Sequence, residues 1–302
     1  MEAAQPHPPR RRMIALPDGE MAVLDFGDSA RPVDLVFIHA NGFNANTYRA
    51  ILEPLSAGLR IIAPDLRGHG RSTLPADPRG RRSWGDHRDD ILALLDALDG
   101  PRARLAGHSM GGTVALLAAA AAPARVADLV LLDPVMWGPL GVILAHLPWS
   151  QSMAARRAPI AIKAARRRAR FDSREDALKA YLGRGAFRSW PDAMVADYVQ
   201  DGFRDLPEGG VELTCPPEWE ASNYTTHAHD PYAALRRFGG PVRILKAQEG
   251  STCRVGEPAS FQRRYPAVTV EEVEGGHFFP MEQPQRVRDA LAAGPVRASR
   301  AA

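Results

Sequence analysis

The sequence predicts an α/β protein, a mostly parallel, doubly wound sheet with an inserted helical segment over its strand ends. Three observations point there. Short runs rich in Val, Ile and Leu alternate with helical patterns. Roughly a hundred residues, far more than an ordinary connection, part the run ending at Leu132 from the next one. Between a strand-like run and a helix-like one stands Gly107-His108-Ser109-Met110-Gly111.

Taken from the start, the first twelve residues, MEAAQPHPPRRR, carry proline and arginine with no apolar stretch behind the charge. They read as a disordered tail, not a secretory leader. Strand-like runs follow at 33–39, 59–63, 103–106, 129–132, 242–245 and 268–273. These runs are continuously apolar rather than alternating, which implies strands buried on both faces and therefore a largely parallel sheet between helices. The core is expected to span 13–133 and 238–298. Residues 134–237 form a mainly helical cap, with helices expected over 152–170, 174–181 and 191–203.

Of the 302 residues, 45% are hydrophobic and 24% charged, ordinary globular composition with ample material for a core. No apolar run nears the roughly 20 residues of a spanning helix, so a soluble, cytoplasmic protein is expected. Cys215 and Cys253 are too few for a disulfide framework. The net charge of +3 is carried almost wholly by arginine and is too mild to suggest a nucleic-acid partner.

The chemistry centres on Gly107-His108-Ser109-Met110-Gly111-Gly112. A serine on a tight strand-to-helix turn needs very small residues two places before and after it, and Gly107 and Gly111 meet that demand. Ser109 therefore reads as a nucleophile. Its hydroxyl attacks only when a base takes the proton, so a histidine must arrive from elsewhere in the fold. Among nine histidines, His277 fits, in Glu274-Gly275-Gly276-His277-Phe278 just past the last strand-like run. His39 and His108 read as structural residues that fix loops by hydrogen bonds. An acyl-transfer oxyanion needs two preorganised donors. The Met110 N–H is one; the other lies in Phe37-Ile38-His39-Ala40-Asn41-Gly42-Phe43, Asn41 being preferred by position and Gly42 or Phe43 the alternatives.

These motifs together resemble the α/β-hydrolase fold superfamily, in its capped esterase and epoxide-hydrolase-like branch. His39-Ala40-Asn41-Gly42 stands where that family has His-Gly-x-Pro, and Asp65-Leu66-Arg67-Gly68-His69-Gly70-Arg71-Ser72 matches its strand-end turn. The resemblance implies the chain order nucleophile, acid, histidine. Two departures stand out: Ala40 replaces a glycine, and Leu245-Lys246-Ala247-Gln248-Glu249-Gly250-Ser251-Thr252 lacks the usual aspartate. In some relatives the acid follows the strand after the nucleophile helix instead, which here is Asp133. Glu249 is the alternative acid, and a dyad completed by neutral groups is the third.

The expected function is a serine hydrolase that cleaves a small to medium carboxylic ester or lactone through an acyl-serine intermediate. Amide, thioester and C–C bond hydrolysis use nearly the same residues. A different class of reading is a non-catalytic small-molecule receptor. Ser109 argues against haloalkane dehalogenase and epoxide hydrolase chemistry, which needs a carboxylate nucleophile. No cofactor or metal is called for. The expected partner is a small-molecule substrate, with no nucleic acid and no membrane, and the oligomeric state is open.

Three weaker patterns complete the reading. His227-Ala228-His229-Asp230 is similar to a zinc-binding signature, yet its aspartate comes one residue early, so a turn is preferred. Arg166-Arg167-Arg168, with Arg156, Arg157 and Arg170, reads as a solvated helix face. Trp137, Trp149, Phe187, Trp190, Trp219 and Tyr224 are aromatic residues of the cap, for its pocket or its core.

Overall fold

The computed structural model describes residues 8–295. A hairpin comes first, β1 (Arg10–Leu16) antiparallel to β2 (Gly19–Phe26). Then follow β3 (Leu35–Ile38), the single turn α1 (Arg49–Leu52), β4 (Ile61–Pro64), α2 (Gly85–Leu98), β5 (Ala103–His108), α3 (Met110–Ala121) and β6 (Val126–Leu132). The insertion holds α4 (Pro139–Ala145), α5 (Ser150–Arg157), α6 (Pro159–Ala165), β7 (Arg170–Phe171), α7 (Arg174–Tyr181) and α8 (Asp192–Gly202). It ends with β8 (Phe203–Asp205), β9 (Val211–Leu213) and α9 (Pro217–Asn223). The chain returns through α10 (Pro231–Phe238), β10 (Val242–Ala247), α11 (Pro258–Arg264), β11 (Val268–Val273), α12 (Phe279–Glu282) and α13 (Pro284–Ala293).

Eight strands form one sheet in the order β1-β2-β4-β3-β5-β6-β10-β11. From β4 to β11 every pairing is parallel; β1 and β2 are antiparallel to their neighbours. Successive strand side chains point to opposite faces, and both faces are apolar. Val36, Ile38, Leu105, Leu129, Leu131 and Ile244 belong to one buried cluster shared with α2, α3, α10 and α11. Leu35, Phe37, Ala106, Val130, Leu132 and Leu245 belong to the other, shared with α1, α13 and the aromatic residues of the insertion. The C-terminal ends of β3, β5, β6, β10 and β11 thus open on one edge, where a doubly wound sheet places its site.

Four sequence expectations need correction. Residues 1–7 of the expected tail lie outside the described residues, as do residues 296–298 of the expected core, but Arg10, Arg11 and Arg12 are in β1. Arg10 and Arg12 pair with the fully buried Asp25 across the hairpin, at 3.3 and 2.9 Å. Arg11 pairs instead with the buried Asp201 and Asp65, so hidden carboxylates draw all three arginines out of an apparent tail. The expected helix over 152–170 is broken at Pro159, because a residue before proline is pushed out of the helical region and Ala158 is extended there. The insertion also contains a small antiparallel sheet, β7-β9-β8, whose strands are too short to show a period. Finally, α10 belongs to the core, since Ala234, Leu235 and Phe238 are buried in the cluster that holds α3. The core therefore resumes at about residue 230, ahead of the expected 238. Among the described residues, no helix is long and apolar enough to cross a membrane.

Burial raises the Asp25 pKa, but hydrogen bonds from Arg60 and Arg12 outweigh it and hold the carboxyl below its ordinary value. A lowered folded-state value stabilises the fold above the ordinary carboxylate range, and that contribution is lost as the pH falls through the lowered value. Asp25→Asn is expected to lose about 2 kcal/mol at neutral pH, the scale of hydrogen bonds to a charged group. Urea unfolding should show that difference shrinking in acid; a constant difference down to the acid transition would contradict the ion-pair account.

Candidate active site

Ser109 joins β5 to α3 with φ +56° and ψ −121°, a left-handed turn that non-glycine residues rarely adopt. The flanking glycines make the turn possible. A Cβ on Gly107 would lie 2.5 Å from the Gly111 carbonyl, and one on Gly111 would lie 2.2 Å from the Ile38 oxygen. The Ser109 N–H donates to Leu132 O at 2.9 Å, and Thr113 Oγ1 donates to Val135 O at 2.9 Å, tying the turn to the end of β6.

Three side chains from distant parts of the chain meet at this turn. His277 Nε2 lies 3.0 Å from Ser109 Oγ, and His277 Nδ1 lies 2.6 Å from Asp133 Oδ2. Asp133 follows β6 with φ +41° and is fully buried. Its Oδ1 accepts from the Ala247 N–H at 3.0 Å and from the Ser251 hydroxyl. Its Oδ2 accepts from the Thr252 N–H at 2.9 Å. Burial raises its pKa, but the bonds from His277, Ser251 and Thr252 outweigh that and leave it below the ordinary value. Glu249, the alternative acid, is exposed on the same loop, and among the described residues no hydrogen bond joins its carboxylate to His277. The Ser251-Thr252 pair, which in sequence looks merely like the loss of an aspartate, supplies the donors that let Asp133 stay ionised.

Buried histidines fasten the surrounding loops. Burial lowers the His108 pKa to about 3, helped by the neighbouring His277. The neutral ring has one donor and one acceptor. Nε2 donates to His277 O at 2.9 Å, so Nδ1 accepts from the Tyr48 hydroxyl at 2.8 Å, and Tyr48 in turn accepts from the Ala40 N–H at 3.2 Å. Burial likewise lowers His39 to about 4. Its Nδ1 donates to Ala40 O at 2.7 Å and its Nε2 accepts from the Leu66 N–H at 2.9 Å. Both residues thus hold loops by hydrogen bonds, the role read for them in the sequence. Sequence reasoning missed Tyr48 and His69.

In the loop after β3, the Gly42 N–H donates to His69 Nε2 at 3.1 Å and the Phe43 N–H donates to Ala40 O at 3.2 Å. No hydrogen bond among the described residues engages the Asn41 N–H. The Asn41 side chain is clamped by the insertion: Nδ2 donates to Glu220 O at 3.0 Å and Oδ1 accepts from Asn223 Nδ2 at 2.9 Å.

Arg167 departs from its expected solvated face. Its guanidinium, 18% exposed, donates to Glu220 Oε2 at 2.7 Å, to the Tyr181 hydroxyl at 3.2 Å and to the Tyr198 hydroxyl. Arg166 and Arg168 are exposed. Of the aromatic residues, Phe187, Trp190 and Trp219 are buried, whereas Trp137 and Trp149 face solvent. Phe43, Trp190 and Phe278 pack together with ring centroids 5.2 to 6.1 Å apart, and Phe278 lies 5.2 Å from the His277 ring. Asp230 caps α10 by accepting from the Tyr232 and Ala233 N–H groups. Among the described residues, no cluster of three or more His, Cys, Asp or Glu has metal-binding geometry.

The model of the alpha/beta hydrolase family matches residues 35–290. The magnesium-chelatase 30 kDa subunit of Rhodobacter capsulatus is 26% identical over 256 residues, 84% of each chain. The 2-hydroxymuconate semialdehyde hydrolase of Pseudomonas sp. (strain CF600) is 38% identical over 109 residues, 35% of this chain and 38% of that protein. Curated relatives of high identity are matched over less than half of their own length, from 27% to 43%. Among solved structures, E-2-(acetamidomethylene)succinate hydrolase superposes with a TM-score of 0.76 at 22% identity, over 94% of this chain and 98% of that one.

The close packing of Gly111 yields a stability prediction, with Gly58, remote from the turn, as the control. Gly111→Ala places a methyl against a backbone oxygen that cannot rotate away, and is expected to destabilise by about 3 kcal/mol. Gly58→Ala, with nothing within 4 Å of the new methyl, should be near neutral. Chemical unfolding of both variants tests this, and equal stabilities would refute the steric account.

Proposed function

The chain belongs to the alpha/beta hydrolase family, and we propose that it is a serine hydrolase of small to medium carboxylic esters or lactones. One observation carries the proposal: the unbroken hydrogen-bonded series from Ser109 Oγ through His277 to Asp133. Ser109 attacks the acyl carbon while His277 Nε2 takes its proton. Asp133 accepts from His277 Nδ1–H, sets the tautomer that leaves Nε2 free, and stabilises the imidazolium. The tetrahedral oxyanion is held by two N–H groups. Met110 opens α3, where the first N–H groups have no carbonyl partner within the helix. Asn41 is supported as the other donor, since the Gly42 and Phe43 N–H groups are engaged elsewhere.

Collapse of the intermediate passes the His277 proton to the leaving alkoxide and leaves an acyl-serine. Water, deprotonated by His277, then attacks that ester, and the carboxylic acid departs as Ser109 regains its proton. The aromatic group of Phe43, Trp190 and Phe278 beside His277 supports a substrate with an apolar portion. The insertion acts as a cap, for it holds Asn41 through Glu220 and Asn223. The paired serine and histidine favour an enzyme over a ligand receptor of the same fold.

A panel of esters, lactones, thioesters and amides, run against wild type and Ser109→Ala, tests the reading. Esters or lactones are expected to turn over fastest, with turnover and fluorophosphonate labelling both abolished in Ser109→Ala. Labelling that survives the substitution would overturn the assignment. Asp133→Asn should lower kcat by about ten-thousandfold through loss of the tautomer lock, while Glu249→Gln stays near wild type; the reverse pattern would move the acid to residue 249.

A further inference from the structure

The insertion has an outer side that the site does not use. Leu140 (68% exposed), Ile143 (63%), Leu144, Trp149 (50%), Met153 and Ile160 (54%) all face solvent there. Outside residues 137–160, Met13 is the only large apolar side chain of comparable exposure among the described residues. The pattern follows helix geometry: Leu140, Ile143 and Leu144 stand at i, i+3 and i+4 on α4, while Val142 on the opposite side is buried. On α6 the inward residues Ala161 and Ala164 are buried and Ile160 points out. Six large apolar side chains exposed within one short stretch of a folded protein mark a contact surface.

Charge says what it contacts. Between Asp133 and Asp172 the sequence has no Asp or Glu, yet it has six arginines and Lys163. Arg167 and Arg170 are engaged by Glu220 and Glu212. Arg156, Arg157, Lys163 and Arg166 are exposed and make no ion pair among the described residues. Ile143 also walls an open cleft of about 560 Å³ that carries Arg236, Arg254 and Arg264, again without a carboxylate ion pair among the described residues. The two carboxylates in that cleft, Asp230 and Glu257, are turned to the N–H groups at the starts of α10 and α11.

A second copy of the chain would set this cationic face against itself. An anionic bilayer meets both halves of its chemistry, with acyl chains for the leucines and tryptophan and phosphates for the arginines. We infer that the α4–α6 face docks on an anionic phospholipid surface. Leu140, Ile143, Leu144 and Trp149 enter the boundary between headgroups and acyl chains, and Arg156 and Arg157 lie against headgroup phosphates. The protein lies on the membrane and does not span it, since no described helix is long enough. This replaces the sequence expectation of no membrane contact, and it stands whatever substrate the site takes.

The test is co-sedimentation of the full chain with vesicles of phosphatidylcholine alone or mixed with phosphatidylglycerol. Binding is expected to the mixed vesicles only, weakening with salt. Arg156→Gln/Arg157→Gln should bind about twenty-five-fold more weakly, at roughly fivefold for each charge removed. Leu140→Gln/Ile143→Gln/Leu144→Gln should lose binding, and Arg79→Gln, a cation elsewhere on the surface, should keep it. In the unsubstituted chain, nitroxide-labelled lipid should quench tryptophan emission, a readout that needs no variant. No sedimentation with anionic vesicles, absence of quenching, or binding that both multiple variants retain overturns the inference. So does a dimer by light scattering that the α4 variant dissolves, which would assign the face to a second copy.

Discussion

A carboxylate without solvent must be surrounded by donors or give up its charge, and the arrangement around Asp133 follows from that requirement. Its two oxygens draw in the Ala247 N–H at the end of β10, the Ser251 hydroxyl and the Thr252 N–H. Those bonds fold the loop between β10 and α11 back over the end of β6. The remaining lone pair faces His277 at 2.6 Å. One buried charge therefore fixes a loop, a strand end and a ring orientation together, and the ring then meets Ser109 at 3.0 Å.

The neighbouring loops are held by a different device, histidines kept neutral by burial. A neutral imidazole is at once donor and acceptor, so each ring bridges two segments that share no regular structure. His39 joins the loop after β3 to Leu66, and His69 joins the same loop to Arg67. His108 reaches through Tyr48 to Ala40 on one side and to the His277 carbonyl on the other. Loop and imidazole, remote in sequence, are thereby tied through the residue preceding Ser109.

The insertion divides its polar and apolar surfaces in an unusual way. Inward, Glu220 and Asn223 hold Asn41, and Arg167 is shut in with Glu220, Tyr181 and Tyr198. Outward, α4 to α6 leave leucine, isoleucine and tryptophan in solvent beside Arg156 and Arg157, which make no ion pair among the described residues. The insertion thus has an ordinary apolar core that includes Phe187, Trp190 and Val195, and in addition leaves large apolar side chains in solvent, which folding alone does not favour.

The amino-acid sequence by itself determined the parallel core and the turn at Ser109. Apolar runs buried on both faces and glycines two places either side of a serine are local signals that no distant contact can supply or erase. It also pointed to His277, because Gly275 and Gly276 follow a strong strand pattern. Tertiary structure alone brought Asp133 rather than Glu249 to His277, since the Ser251-Thr252 loop encloses the Asp133 carboxylate, a contact across more than a hundred residues of chain. It also brought residues 10–12 into the sheet, Arg10 and Arg12 through the buried Asp25 and Arg11 through Asp201 and Asp65, and withdrew Arg167 from solvent. Each of these outcomes rests on hydrogen bonds or ion pairs between residues that no local pattern relates, and contacts of that kind leave no periodicity to read.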